Sequence, residues 1–280
     1  METIRPCGCK GIRSCLICEA EYEISKPNLK NELQTLTYLI SVTSEFPAIN
    51  RNISFFENCK HNYLIMTKYM NSMNSPDNFT FIYIYLSNFG PKCNFKKRKL
   101  QLGSFNGFPK TTQFVQKKFE EISLLHGFET VEQCTLEYNP ERGASIDPHV
   151  DDCWIWGERI ITVNVLGDSV LTMTPYRGPI TRYNLDYVSN YDFILKKGIY
   201  DDTHSLGIDD NIVVRLPMPA RSLMVLYGPA RYKWEHAVLR QDVTSRRVCL
   251  AYRELTPPYL KNGQHQKETS EILRQASLFW

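Results

Sequence analysis

Ile160-Ile161-Thr162-Val163-Asn164-Val165-Leu166 carries five β-branched residues in seven, the composition of a β-strand. Runs of the same kind recur on either side, at 131–138, 170–174, 212–216, 222–227 and 246–252, with Pro and Gly between them. From Gly127 onward the chain therefore predicts a β core. Two helices are expected ahead of it. The pattern Ser54-Phe55-Phe56-Glu57 reads as a capping box, followed by Phe56, Cys59, Tyr63, Met66 and Met70 at helical spacing. Across 111–126, Phe114, Val115, Phe119, Ile122 and Leu125 form one apolar stripe that Gly127 would end. A last helix is expected over 268–279. The fold class is α+β, mainly β: a double-stranded β-helix (jelly roll) core with flanking helices and an N-terminal cysteine-rich extension. Residues 1–33 are assigned to that extension and its linker, and 34–280 to the main domain. The polar, Tyr- and Asp-rich stretch 176–210 reads as a surface insertion.

The 280 residues can bury a sizeable core, and a composition 42% hydrophobic and 22% charged suits a folded enzyme or binding domain. A net charge of +3 is too mild for binding nucleic acid through bulk charge, so any polyanion contact must be local. Met1-Glu2-Thr3-Ile4-Arg5-Pro6-Cys7 lacks the apolar core of a signal peptide, and no run of about 18 apolar residues occurs. We expect a soluble protein of the cytoplasm and nucleus without membrane contact. Nine cysteines are an odd number for a disulfide framework. Four of them, Cys7, Cys9, Cys15 and Cys18, bring four thiolates within reach of one ion, as tetrahedral zinc requires. Iron–sulfur ligation needs the same four thiolates, and thiols without metal are the plain alternative.

The chemistry begins at Asp147-Pro148-His149-Val150-Asp151-Asp152. Residues two apart on an extended segment project to one side, so His149 and Asp151 can grip one metal. By itself His-x-Asp is a weak signal. His236, at the start of a later strand segment, completes a set of two imidazoles and one carboxylate. Such a set on one face leaves coordination positions open and suits a non-haem Fe(II) oxygenase, with a zinc hydrolase as the formal alternative. Further on, Arg247 and Arg253 share one face of an apolar strand. A planar guanidinium there matches a bidentate carboxylate, while the bland reading is two surface arginines on an edge strand.

Taken together and in this order, His149-x-Asp151, His236 and Arg247-x5-Arg253 resemble the AlkB family of Fe(II)/2-oxoglutarate-dependent dioxygenases. The likeness is closer to the branch of the fourth vertebrate-type homologue. It extends through Cys7-Gly8-Cys9-Lys10-Gly11-Ile12-Arg13, Gly90-Pro91-Lys92, Val131-Glu132-Gln133-Cys134, Pro140-Glu141-Arg142-Gly143 and Trp154-x-Trp156-Gly157-Glu158-Arg159. The resemblance implies that His149, Asp151 and His236 hold iron and that Arg247 binds the distal carboxylate of 2-oxoglutarate. It also implies that Tyr138 hydrogen-bonds the co-substrate and that Arg253 supports the metal side of the pocket. One position departs from the pattern: where DNA-repair members have an asparagine for the co-substrate, two residues before the tyrosine, this chain has Leu136. Asn164 is the candidate to supply that bond.

The run Lys92-Cys93-Asn94-Phe95-Lys96-Lys97-Arg98-Lys99 resembles the family's substrate lid, the bland alternative being a solvated loop. Lys92, Asn94, Phe95, Lys96, Lys97 and Arg98 offer charge and one aromatic, which suit phosphates and a stacked base or an acidic protein surface. The resemblance implies oxidative N-demethylation coupled to 2-oxoglutarate. The expected substrate is methylated lysine in protein, actin being the partner implied by the branch, with N6-methyladenine in DNA as a further one. The competing reading is a catalytically weak member acting as a protein or nucleic-acid binding module.

Overall fold

The computed structural model describes residues 12–21, 53–55, 65–69, 88–191 and 213–280. Its strands in chain order are β1 (Arg13–Ser14), β2 (Ile53–Phe55), β3 (Ile65–Tyr69), β4 (Asn88–Phe89), β5 (Lys92–Asn94), β6 (Lys99–Gln101), β7 (Glu132–Tyr138), β8 (Ser145–His149), β9 (Trp156–Leu166), β10 (Ser169–Pro175), β11 (Val214–Met218), β12 (Ser222–Leu226), β13 (Trp234–Val238) and β14 (Arg247–Leu255). They form a sheet ordered β1-β8-β13-β10-β11, a larger one ordered β2-β3-β12-β9-β14-β7-β4, and the hairpin β5-β6. All of these pairings are antiparallel.

The period of two sorts β9, β12 and β14 of the larger sheet into two cores. On one face Trp156 and Ile160 of β9, Met224 and Leu226 of β12 and Cys249 of β14 meet Leu171, Met173, Val214, Leu216, Trp234 and Val238 from the smaller sheet. On the other face Ile161, Val163 and Val165, with Leu250 and Tyr252, pack on Val115, Phe119, Ile122 and Leu125. The two sheets thus enclose the inner core as a jelly roll, and the helical segment covers one outer face. Both faces of β9 are covered, which suits the β-branched residues of its second half, Ile160, Ile161, Thr162, Val163 and Val165. No helix among the described residues is long and apolar enough to cross a membrane.

The helical stripe is broken into Lys110–Thr112 (3-10), the α-helix Gln113–Phe119 and Ser123–Leu125 (3-10), yet it buries the expected residues. Gly127 follows with φ +70°, a conformation glycine adopts without a Cβ penalty. The last helix is Gln266–Ala276. Of the helix expected from Ser54 onward, residues 56–64 and Met70 lie outside the described residues, and the described part is extended. Ile53–Phe55 and Ile65–Tyr69 are strands, and β3 extends the larger sheet by pairing with β12. The apolar spacing of 54–70 favours a helix only locally. Pairing with the edge of β12 satisfies backbone groups that this edge would otherwise leave open. β1 extends the smaller sheet through Arg13↔Ile146 and Ser14↔Ser145, so the described part of the cysteine-rich segment lies against the strand that carries His149.

Candidate active site

Register assembles the centre. β13 pairs with β8 so that His236 lies opposite His149, and their ring centroids are 4.2 Å apart. Asp151 stands two residues beyond the end of β8, with its Oδ2 3.4 Å from His236 Nε2. One ligand atom from each of the three lies within 4.8 Å of the others, and no other such group occurs among the described residues. His149 Nδ1 is 2.8 Å from Asp147 O. A carbonyl only accepts, so Nδ1 carries the proton and Nε2 keeps its lone pair for a metal.

Burial lowers the His149 pKa against the pull of Asp151. It lowers His236 further, to about 3, with His149 acting in the same direction. Both imidazoles are therefore neutral at pH 7, the form that binds a metal. Burial alone would raise Asp151, but the Arg253 guanidinium foremost, then His236 and His149, hold it well below the usual carboxylate range. Arg253 reaches Asp151 because it lies on the inner face of β14. Its Nε donates to Asp151 Oδ1 at 2.8 Å and its Nη1 to Glu132 Oε2 at 2.5 Å. That leaves Asp151 Oδ2 buried without a hydrogen-bond donor. Two neutral imidazoles and an ionised carboxylate with one oxygen free are a donor set that fits a divalent cation such as Fe(II).

Arg247 sits at the other end of the same face, opposite Tyr138 in the β14–β7 ladder. Its guanidinium lies 4.6 Å from the Tyr138 ring centroid, and its Nε donates to Asn164 Oδ1 at 2.7 Å. The side chain is almost fully buried, and its Nη1 finds no acceptor. A buried guanidinium with an unused N–H is costly until an anion completes it, so Arg247 fits the carboxylate of 2-oxoglutarate. Asn164 does different work from what the sequence suggests. Its amide donates to Gly167 O and Met218 O while its oxygen accepts from Arg247, so in this geometry it orients the arginine. Leu136 packs against the inner core, opposite Cys249.

The basic run forms the hairpin β5-β6, whose residues Lys96, Lys97 and Arg98 are exposed between the strands. It neighbours the loop after β8 that carries Asp151, the candidate metal loop: Phe95, 48% exposed, contacts Trp154 edge to face at 6.4 Å. Cys15 and Cys18 are buried, while Cys7 and Cys9 of the expected four-thiolate set lie outside the described residues.

Two contributors escaped the sequence reading. Glu132 shares its strand face with Tyr138, so the period of two could have found it. Arg231, in the short helix Gly228–Tyr232, is buried and donates to Asp151 O, Gly157 O and Trp156 O, fixing the backbone of the metal loop. Only the chain reversal before β13 brings it there, and no local pattern announces it.

No protein-family model matches the chain. It is similar over nearly its whole length to relatives with assigned names. It is 33% identical over 291 residues to alpha-ketoglutarate-dependent dioxygenase alkB homolog 4 of Homo sapiens, covering 99% of this chain and 95% of that protein. The protein of the same name from Mus musculus is 32% identical over 289 residues, with the same coverage. A DNA N6-methyl adenine demethylase of Caenorhabditis elegans is 24% identical over 308 residues, covering 97% of this chain and 94% of that protein.

Proposed function

The chain belongs to the AlkB family of 2-oxoglutarate-dependent dioxygenases, as an oxidative demethylase, and from that premise we propose that it removes methyl groups from methylated lysine in an actin-like protein. The observation that carries the catalytic part is the buried His149–Asp151–His236 group together with Arg247, which shares a face of β14 with Arg253; Asp151 and Arg247 each have a polar atom left for a ligand. With iron, 2-oxoglutarate and O₂ bound, such a centre hydroxylates an N-methyl carbon, the methyl group leaving as formaldehyde and the co-substrate as succinate and CO₂.

The chain's own residues supply placement. His149 presents Nε2 because Asp147 O holds the proton on Nδ1, and Arg253 turns Asp151 so that Oδ2 faces the imidazoles. Arg247, held by Asn164 and flanked by Tyr138, receives the distal carboxylate and so fixes how the co-substrate enters. Buried apolar neighbours keep water from competing.

Two features support a methyl-lysine. Glu235 lies close enough for its charge to act on His149, against that of Arg253, and so offers an acidic partner to a cationic alkylamine. The exposed lysines of the hairpin suit an acidic protein surface. The second reading, N6-methyladenine in DNA, is supported by the activity in the name of the Caenorhabditis elegans relative. We also propose Cys7, Cys9, Cys15 and Cys18 as a zinc set, which metal analysis of the purified protein tests.

The experiment is succinate production by purified protein with Fe(II), 2-oxoglutarate and ascorbate, offered a methyl-lysine actin peptide or N6-methyladenine DNA, with His149→Ala as control. Substrate-stimulated succinate that disappears in the variant supports the reading and selects between the two substrates. Turnover that is absent, or indifferent to His149→Ala, overturns it in favour of a binding module.

A further inference from the structure

Residues 176–191 leave β10 and return along the loop that carries Asp151. Cys153 N–H donates to Tyr183 O at 2.8 Å, and the Tyr191 hydroxyl donates to Cys153 O at 2.6 Å. Between these anchors Tyr183 and Asn184 stand consecutively in the left-handed region, at φ 62° and 53°. Asparagine tolerates that conformation and tyrosine resists it, so the pair persists only because surrounding contacts impose it. The Tyr183 hydroxyl donates to Glu235 Oε1 at 2.8 Å. Asn184 Nδ2 donates to Asp152 Oδ1 at 2.9 Å, and Asn184 Oδ1 accepts from Arg98 Nη1 at 3.3 Å. The Arg98 guanidinium also lies 5.4 Å from the ring centroid of Tyr187. One side chain thus joins the basic hairpin, the returning segment and the residue next to a proposed metal ligand.

We propose that Asn184 is a positioning residue that sets the gap between the hairpin and the metal loop, and thereby selects how a macromolecular substrate seats. The proposal rests on the demethylase reading given above. A protein or nucleic acid that delivers a methyl group to the triad must accommodate both segments packed against the loop. 2-Oxoglutarate need not, because Arg247 binds it from the far end of β14. Loosening the joint therefore affects the large substrate and spares the small one. The tie to Arg98 is longer and exposed, so it is the half that yields on binding, while the tie to Asp152 is shorter and partly buried.

The test compares the full-length protein with Asn184→Gly and Asn184→Asp. Glycine keeps the left-handed backbone and deletes both ties. Aspartate keeps the acceptor for Arg98 but sets a carboxylate against Asp152. Hydrogen exchange over 92–101 and 152–155 is read together with steady-state kinetics on a methyl-lysine peptide and an N6-methyladenine oligonucleotide. For Asn184→Gly we expect exchange in both segments to rise about fivefold or more, local opening being limited by such ties. KM for the macromolecule that wild type demethylates should rise about tenfold, the scale of two hydrogen bonds. KM for 2-oxoglutarate should move less than about twofold, and formaldehyde released per succinate should fall. For Asn184→Asp, exchange should rise over 152–155 more than over the hairpin.

Unchanged exchange in both variants overturns the joint. So do an unchanged macromolecular KM and coupling ratio, or a 2-oxoglutarate KM that rises in step with the other, the mark of general loosening. Wild-type protein that demethylates neither probe refutes the demethylase reading instead, and the exchange data then decide the joint alone.

Discussion

Acidifying the metal-free protein should destabilise it through the same burial that prepares its histidines for a metal. His236 has a folded-state pKa of about 3 against an ordinary value of 6.5. Below 6.5 the unfolded chain takes up a proton that the folded chain refuses, so stability rises with pH across this window and falls as pH drops. Each pH unit between the two values costs about 1.4 kcal/mol, so going from pH 7 to about pH 5 removes about 2 kcal/mol through His236 alone. His149 is shifted the same way and adds to the loss. Asp151, held below the usual carboxylate range, contributes stability that is lost only at lower pH, outside this window. The assay is urea unfolding of chelator-treated protein at the two pH values, beside His236→Asn, which replaces the imidazole with a side chain that does not titrate. The variant's pH-dependent loss should be smaller than wild type's by about 2 kcal/mol, whatever its stability at neutral pH. A divalent cation at about a hundred times its Kd should restore about 2.7 kcal/mol to wild type. Equal pH-dependent losses in the two proteins would refute the reasoning, because His236 would then be charged, or exposed, in the folded state.

Two further outcomes follow from the arginines. Asn164→Leu leaves Arg247 Nε buried without its acceptor, a penalty of about 1–3 kcal/mol; KM for 2-oxoglutarate, read by succinate formation, should rise about tenfold or more, and a change within about twofold would show that Arg247 needs no such holder. Arg253→Lys replaces the rigid fork that gives separate nitrogens to Asp151 and Glu132 with a single ammonium, and so holds Asp151 less firmly. It should weaken divalent-metal affinity about 10- to 100-fold in a calorimetric titration, and unchanged affinity would mean that Asp151 orients itself.

Where the local pattern and the tertiary outcome agree, the sequence was a sufficient guide. The strand runs around Ile160–Leu166 alternate, or are rich in β-branched residues, because their packing on one or both faces favours it, so the β core was visible before any pairing was known. His149, Asp151, His236, Arg247 and Arg253 were legible for a related reason: an imidazole pair with a carboxylate, and arginines at even spacing in an apolar strand, are costly choices without a partner. The reading failed at 54–55 and 65–69, which lie in β2 and β3 beside β12. A free sheet edge is a property of the assembled sheet, and a window of a few residues contains no trace of it.

The sequence by itself determined the strand-rich core and singled out the side chains suited to a metal and to a carboxylate, with their order along the chain. All of these follow from side-chain chemistry and short-range period. Only the tertiary structure decided that His236 faces His149, that Arg253 bridges Asp151 and Glu132, that Asn164 holds Arg247, and that Arg231 and Asn184 tie down the metal loop. Each of these contacts joins segments distant in the chain, and the free energy that selects it comes from burying both partners together, which neither segment can express alone.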